Sequence, residues 1–424
     1  QFIGNRADFT LAELDELSPA RPAFIQSTYD HVFVNTAWLE EMDIPMILSA
    51  ADQEATTGLA SYIVRDESGT ATGRLNGGIS MVALAIERFP KLSEEEQVSA
   101  ISSAFSYLNG LGLTAVYDPA GVGISEEIYE RLASVADTTG LTLRVFHTLG
   151  GGAPSTPEEA RAIVEQIETS RPFQGNTTLD LIAVGEIYYA PFHWDSLFTA
   201  RSPNSDDIAA ARSILTAAAR GGWSVQTHAT QPATIDILLD VMTEINAEYP
   251  LRQLRWSVTH ADRITITQIE RMRHLGMTLQ MRSISVTKQP RRYQLIEELG
   301  EAAYQVPPLR LVQNSGIPFG LGTDGTKAAQ INPFVSLWWA VTGLSLNGDV
   351  VLKDTLSREN ALIAHTRANA YLMFQENNTG SIRPGLLADL LVLDRDYLTV
   401  PDAGIKDIKL IATLVGGKIV SGEL

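Results

Sequence analysis

The sequence contains no cysteine among its 424 residues. This absence excludes disulfides, thiolate metal sites and cysteine nucleophiles. It favours a periplasmic or secreted protein, although it is also compatible with the cytoplasm. No apolar run approaches the ~18 residues of a membrane-spanning helix, so we expect no membrane contact. The Gly-x-Ser-x-Gly motif of serine hydrolases is also missing, so nothing in the sequence supports that class of enzyme.

Positive charge is scarce as well. The chain has 32 Lys and Arg against 50 Asp and Glu, which gives a net charge of -18. Such a polyanion is repelled by nucleic-acid backbones and by anionic membrane surfaces, so we expect no nucleic-acid partner. A small-molecule substrate is expected instead, and a homo-oligomer is compatible with the sequence.

Strand and helix patterns alternate from Leu113 to Asp324, and the connections between them are short. This alternation predicts a parallel sheet with helices packed on it. We count seven strands, whereas a closed (β/α)8 barrel needs eight. Residues 1–60 contain no convincing buried strand for the eighth place. The predicted fold class is therefore α/β, a (β/α)8 TIM-like barrel whose first strand is missing from this chain.

The residue pattern changes along the chain and suggests three parts. Residues 1–112 are mixed and are interpreted as an insertion and lead-in to the barrel. The barrel itself is predicted over residues 113–374. Residues 375–424 are rich in β patterns with glycine turns, and we interpret them as a small β-sandwich portion.

Three potential metal ligands end short apolar strands in this repeat. They are His228, His260 and Asp324. Carboxyl ends of parallel strands lie at one edge of a sheet or barrel, where such folds place their chemistry. Imidazole and carboxylate are ligands suited to zinc and similar divalent ions. Asp324 taken alone would be better explained as the cap of the next turn, but three such ligands at three strand ends predict a metal site.

A different interpretation exists for the glycines around Asp324. Gly320, Gly322 and Gly325 spell the G-x-G-x-x-G fingerprint of dinucleotide-binding proteins. That fingerprint should open a helix, but Pro333 follows soon after. Asp324 within the turn would also face a pyrophosphate with like charge. We therefore do not favour a dinucleotide site.

The order of candidate ligands points to a family. Along the chain it runs Glu186, His228, His260 and Asp324. With the segments THAT (227–230), THAD (259–262), GLGTDG (320–325) and ALIAHTRANAYLMF, the chain resembles the metal-dependent amidohydrolase superfamily, within it the amidohydrolase family 3 group. The resemblance covers most of the chain from about Leu113 onward.

The resemblance implies a metal-dependent hydrolase of amide or related C–N bonds, with one or two divalent ions, zinc first among them. His228 and His260 would hold the metal, and Glu186 would replace a carboxylated lysine that family members often carry. Asp324 would be a metal ligand too; it would take a proton from the activated water and pass it to the leaving amine. Pairing of Glu186 with a neighbouring cation is an equal alternative.

Three further residues are candidates for substrate binding: His31, Arg282 and Tyr188. Arg282 could bind a substrate anion, but a structural salt bridge is the competing interpretation. A lone histidine such as His31 is likewise more often structural.

The chain departs from the family pattern in one respect. None of its seven histidines forms a His-x-His motif, which the family carries on its first strand. We expect a segment of the same protein to precede Gln1, to carry that motif and to fill a gap between the strands of Leu113 and Asp324. The alternative is a non-catalytic binding protein that retains the amidohydrolase barrel.

Overall fold

The structure is a computed structural model that describes residues 8–27, 31–119, 126–150, 152–284, 287, 291–325 and 330–424. The chain forms two compact units. The first comprises Gln1–Ser93 and Asp324–Ile331, and the second comprises Glu94–Thr323 and Asn332–Leu424. The three sequence-based parts, with limits at residues 112 and 374, stay a prediction.

The first unit is built on an antiparallel sheet of four strands in the order β1-β2-β4-β3. The strands are β1 (Phe24–Ser27), β2 (His31–Val34), β3 (Ile63–Arg65) and β4 (Ala71–Asn76). Its helices are α1 (Leu11–Leu17), α2 (Thr36–Glu41), α3 (Ala50–Glu54) and α4 (Gly78–Ile86), with a 3-10 turn over Gly58–Tyr62. Residues 1–60 thus do contain a buried strand, β2, but it pairs with β1 and β4.

One buried asparagine organises the start of the first unit. Asn35 is fully buried and accepts a hydrogen bond from Trp38 N, which caps α2. Its amide also donates to the carbonyls of Ser18 and Arg21. A polar side chain buried in an apolar core is stable only when hydrogen-bonded in this way.

The second unit contains the predicted parallel sheet. Its order is β11-β10-β9-β8-β7-β6-β5, so each strand lies beside the next along the chain. The strands are β5 (Ala115–Asp118), β6 (Arg144–Leu149), β7 (Leu179–Val184), β8 (Ser224–Ala229), β9 (Ser257–His260), β10 (Thr278–Arg282) and β11 (Phe319–Gly322). The expected seven strands of an amidohydrolase-type barrel are confirmed, with β5 and β11 at the two ends of the sheet.

Helices alternate with these strands. They are α5 (Glu94–Gly110), α6 (Glu126–Thr138), α7 (Pro157–Thr169), α8 (Ala190–His193), α9 (Ser205–Gly221), α10 (Pro232–Glu248), α11 (Ile266–Leu275), α12 (Arg291–Leu299), α13 (Leu309–Ser315), α14 (Pro333–Thr342), α15 (Arg358–His365) and α16 (Arg367–Leu372). Further 3-10 turns cover Gly300–Gln305 and Asp402–Asp407. Every residue of β8 and β9 is buried, as expected for central strands covered by helices.

Local signals set the helix ends. Thr156 caps α7 through a reciprocal pair of hydrogen bonds with Glu159, and Pro157 occupies the first helical position. Gly222 caps the end of α9, and its φ of +74° suits glycine. These boundaries place α7 and α9 after β6 and β7, so the loops that precede them reach the carboxyl edge of the sheet.

The carboxyl-terminal segment forms an antiparallel sheet of β12 (Leu390–Leu393), β13 (Leu410–Val415) and β14 (Lys418–Gly422). A buried ion pair joins it to β6, because Arg144 binds both carboxylate oxygens of Asp389 at 2.7 and 2.8 Å. Among the described residues, no helix is both long and apolar enough to cross a membrane.

Candidate metal centre

Three of the predicted ligands meet at the carboxyl edge of the parallel sheet. Glu186 follows the end of β7 by two residues, His228 lies near the end of β8, and His260 is the last residue of β9. One ligand atom from each side chain lies within 4.8 Å of the other two. Glu186 Oε2 is 3.2 Å from His260 Nε2 and 3.9 Å from His228 Nδ1. We call Glu186, His228 and His260 the triad.

The triad depends on an irregular backbone at the end of β9. His228 is in register with Thr259, so strand alternation would turn the side chain of His260 to the opposite face. Alternation stops at His260, where φ is +74°, followed by +51° at Ala261. A left-handed conformation costs a non-glycine residue about 1–2 kcal/mol. Strain of this kind concentrates at functional sites, and here it accompanies the approach of His260 to Glu186.

Glu186 is placed by the glycine that precedes it. Gly185 has φ of +139°, and a Cβ on it would lie 2.1 Å from the backbone oxygen of Gln226 on the neighbouring strand. Only glycine allows β7 and β8 to approach this closely at that point. The chain therefore turns at Gly185, and the carboxylate of Glu186 faces both imidazoles.

Glu186 and the two histidines stabilise one another's charged forms. Burial alone would raise the pKa of Glu186, but the His260 and His228 imidazoles outweigh burial and lower that pKa to about 2. Burial acts against protonation of His228, yet the Asp195 hydrogen bond and the Glu186 charge raise its pKa above the usual range. The site thus keeps a carboxylate that favours a positive neighbour.

Several atoms of the triad are buried without a hydrogen bond of acceptable geometry from any described residue. These atoms are Glu186 Oε2, His228 Nδ1 and His260 Nδ1. An unsatisfied buried polar atom costs about 1–3 kcal/mol, so it calls for an explanation. A divalent ion such as zinc suits a donor set of one carboxylate oxygen and two imidazole nitrogens. That set consists here of Glu186 Oε2, His228 Nδ1 and the other nitrogen of His260, Nε2, which lies 3.2 Å from Oε2. The residues therefore fit a metal.

Asp195 holds the far side of the His228 ring. It lies in the loop after α8, and its side chain is 0% exposed. His228 Nε2 is 3.0 Å from the backbone oxygen of Asp195 and 3.4 Å from its carboxylate oxygen Oδ1. The same carboxylate accepts hydrogen bonds from the backbone of Thr230 and Gln231. Sequence reasoning missed this residue, because its contact with His228 spans 33 positions.

Arg282 is engaged by a second buried carboxylate. It lies on β10, and its guanidinium contacts both oxygens of Asp262, whose side chain is 0% exposed. This contact is the structural salt bridge that the sequence left open as the alternative. The positive charge of Arg282 also contributes to the low pKa of Glu186. A substrate-binding role for Arg282 stays a prediction.

Tyr188, His31 and Asp324 are not members of the triad. Tyr188 is fully buried, with its ring 4.3 Å from that of His193. His31 belongs to the first unit, where its Nε2 lies 3.8 Å from Asp8 Oδ1. Asp324 follows β11 by two residues, has φ of +55° and groups with the first unit. Their predicted roles stay predictions.

The first glycine of the dinucleotide-like motif has a packing reason. A Cβ on Gly320 would lie 1.9 Å from the side-chain oxygen of Asn369, which belongs to α16. Asn369 donates a hydrogen bond to the carbonyl of Leu321. The close packing of α16 on β11 thus explains the glycine at position 320.

Comparison with known proteins decides the family. A sequence model described as the amidohydrolase family matches residues 1–421. The chain belongs to the amidohydrolase family. This amidohydrolase is a metal-dependent hydrolase that acts on carbon–nitrogen bonds other than peptide bonds, as its family resemblance implied.

Two curated relatives are similar in sequence. An N-substituted formamide deformylase of Arthrobacter pascens is 26% identical over 422 residues, which cover 96% of the amidohydrolase and 75% of the relative. The protein LONG AFTER FAR-RED 3 of Arabidopsis thaliana is 28% identical over 215 residues, or 48% of this chain and 35% of that one.

Solved structures support the fold. An uncharacterized metal-dependent hydrolase from Pyrococcus horikoshii gives a TM-score of 0.64 at 20% identity, with 93% of this chain and 75% of that chain covered. An atrazine chlorohydrolase mutant from Arthrobacter aurescens, solved with zinc and atraton, gives a TM-score of 0.52 at 15% identity. The match covers 95% of this chain and 83% of that chain. At these identities the likeness concerns the barrel fold alone.

Proposed function

We propose that Glu186, His228 and His260 hold a divalent ion, that this ion is zinc, and that Asp324 transfers the proton in hydrolysis of a small amide. The observation that carries this proposal is the triad itself, three ligand atoms within 4.8 Å of one another at the ends of adjacent strands. Zinc is preferred because its protein sites use imidazole and carboxylate ligands, and because the atrazine chlorohydrolase structure is a complex with zinc.

The chemistry divides between the ion and the side chains. When bound, a divalent ion supplies a Lewis acid that polarises a carbonyl and makes water a nucleophile near neutral pH. Glu186 contributes the negative charge of the site, and its low pKa keeps it ionised at neutral pH. His228 and His260 contribute nitrogen ligands, and Asp195 holds the His228 ring in place.

Asp324 is proposed to act first as the general base and then as the general acid. Its carboxylate accepts a proton from the attacking water as the carbon–oxygen bond forms, and it then donates that proton to the departing nitrogen as the carbon–nitrogen bond breaks. A positioned general base and acid of this kind typically contributes about 10²–10⁴-fold to the rate. Asp324→Asn should therefore lose activity by about that factor.

We further propose N-substituted formamides as the substrate class to test first. The curated relative of Arthrobacter pascens bears the name N-substituted formamide deformylase. Hydrolysis of such a compound yields formate and an amine, and both products are simple to measure. His31, Arg282 and Tyr188 stay candidates for contacts with the nitrogen substituent.

The test compares four proteins: the wild type, His228→Asn, His260→Asn and the control His274→Asn. His274 is exposed on α11, and its ring Nδ1 lies 2.8 Å from the carbonyl oxygen of Glu270, one turn earlier in the same helix. Elemental analysis after growth with zinc should find about one divalent ion per chain in the wild type and the control, and little in the other two. Formate release should follow the same order.

The outcomes separate the candidate functions. A wild-type protein that binds a divalent ion but cleaves no formamide would contradict the substrate class and leave the metal site standing. A wild-type protein that binds no ion and hydrolyses nothing would contradict the proposal as a whole. That second result is the one expected of a non-catalytic binding protein.

A further inference from the structure

The two ring nitrogens of His228 have different surroundings. Its Nδ1 points toward Glu186 Oε2 at 3.9 Å and has no hydrogen bond from the described residues. Its Nε2 points the other way, 3.0 Å from the backbone oxygen of Asp195 and 3.4 Å from Asp195 Oδ1. The backbone oxygen is an acceptor and never a donor, and the same holds for the carboxylate oxygen when Asp195 is ionised.

This arrangement dictates where the imidazole carries its hydrogen. A neutral imidazole has one donor nitrogen and one acceptor nitrogen. Two acceptors beside Nε2 require the hydrogen there, so the lone pair is left on Nδ1. That lone pair faces Glu186 and is the one available to a metal. The contact of Nε2 with Asp195 thus places the proton on Nε2 and, as a result, leaves Nδ1 free to be the ligand atom.

Asp195 is itself held rigidly. Its carboxylate accepts hydrogen bonds from Thr230 N at 2.8 Å, from the Thr230 hydroxyl at 2.8 Å and from Gln231 N at 2.8 Å. Gln231 precedes α10, so the carboxylate satisfies backbone donors at the start of that helix. Asp195 therefore cannot rotate away from His228 without breaking several buried hydrogen bonds.

We propose that Asp195 is a positioning residue for the metal centre, which orients the His228 ring and fixes its Nε2–H form so that Nδ1 is the ligand. This inference rests on the proposed metal site and adds to it the carboxylate behind the histidine. Outer carboxylates of this kind typically change metal affinity by roughly 10–100-fold when they are replaced.

The first test measures affinity rather than activity. Zinc affinity is determined by chelator competition for the wild type, Asp195→Asn and the control Asp180→Asn. Asp180 is also a buried aspartate that accepts a backbone hydrogen bond, from Gly175 N, but it lies near the start of β7, at the other end of that strand from Glu186. Asp195→Asn should weaken zinc binding by roughly 10–100-fold, and Asp180→Asn should leave it unchanged.

A spectrum separates positioning from general damage. With saturating Co²⁺, the visible absorption bands of Asp195→Asn should shift relative to the wild type, because the ring that supplies a ligand is held differently. The bands of Asp180→Asn should not shift. Unchanged affinity and an unchanged spectrum in Asp195→Asn would overturn the inference, as would equal effects of the two substitutions.

A second measurement keeps the inference testable if Asp195→Asn does not fold. The wild-type protein without metal is labelled with ¹⁵N-histidine, and the His228 signals are identified by their loss in His228→Asn. The spectrum is recorded at a pH alkaline enough for the His228 ring to be neutral, because its pKa is raised. The expected spectrum is that of the Nε2–H form, and an Nδ1–H form would refute the inference. This measurement is independent of metal binding, so a wild type that binds no zinc would contradict the proposed function while the tautomer still decides the role of Asp195.

Discussion

Replacing Glu186 by glutamine should weaken the metal centre in a measurable way. Glutamine keeps the size of the side chain and removes its charge. The pKa of Glu186 is lowered from 4.5 to about 2, and at about 1.4 kcal/mol per pKa unit this corresponds to about 3 kcal/mol of net stabilisation of the carboxylate, which is the attraction of positive groups less the cost of burial. Most of that attraction comes from His260 and His228, so the loss should be visible in the protein without metal.

The sign of the effect sets the pH of the experiment. Because the pKa of Glu186 is lowered on folding, its contribution is complete above pH 4.5 and disappears as the pH falls toward 2. At pH 5 the carboxylate is ionised, while the raised pKa of His228 keeps that imidazole protonated. Urea unfolding of metal-free protein at pH 5 should therefore show Glu186→Gln less stable than the wild type by about 3 kcal/mol.

Adding zinc at neutral pH completes the test. An ion at 100 times its dissociation constant stabilises the folded wild type by about 2.7 kcal/mol, and Glu186→Gln should gain much less. Glu298→Gln is the matched control, because Glu298 pairs with Arg263 at the surface at 2.7 Å and such pairs contribute about 0–1 kcal/mol. Equal stabilisation of wild type and Glu186→Gln by zinc would refute the role of this carboxylate.

Three further predictions follow from particular contacts. Gly185→Ala places a Cβ against the Gln226 carbonyl and should abolish zinc binding, as measured by chelator competition, while retention of wild-type affinity would contradict the account of Glu186 placement. Asp389→Asn leaves Arg144 buried without its charge partner and should lower the free energy of unfolding in urea by about 3–5 kcal/mol; a change below about 1 kcal/mol would contradict it. Burial lowers the pKa of His147 to about 4, so the folded state binds its proton less readily and stability should fall as the pH drops from 6.5 to 4. His147→Gln should flatten that part of the pH profile of unfolding, and an unchanged slope would show that His147 is not responsible.

The sequence carried enough local information to predict most of the barrel. Alternating apolar strands and capped helices from Leu113 onward gave seven strands, and the structure has seven in sequential order. The cap formed by Thr156, Pro157 and Glu159 at the start of α7 is a local signal of the same kind. Periodicity and caps are visible in a sequence because they depend on residues within a few positions of one another.

The geometry of the triad depended on contacts that a sequence does not display. Strand alternation alone would have turned His260 away from His228, and only the backbone conformation at His260 brings the rings together, with centroids 4.6 Å apart. Asp195 was missed for a related reason, since nothing near it in sequence marks it as the partner of His228. Pairings through space depend on how β7, β8 and their loops pack, and that information is not local.

The first unit was the least predictable part of the fold. The sequence of residues 1–112 is mixed in pattern, whereas the structure places two strands, β1 and β2, before α2. The strands are four residues each and belong to an antiparallel sheet, in which short strands are stabilised mainly by cross-strand neighbours. Those neighbours include β4, which lies about forty positions further along the chain.

The most direct test of the metal centre is a crystal structure of the protein grown with zinc, with anomalous diffraction measured at the zinc absorption edge. The account predicts an anomalous peak within coordination distance, about 2.0–2.2 Å, of a Glu186 carboxylate oxygen, His228 Nδ1 and His260 Nε2. A peak at other side chains, or a zinc ion bound to His228 through Nε2, would contradict the account.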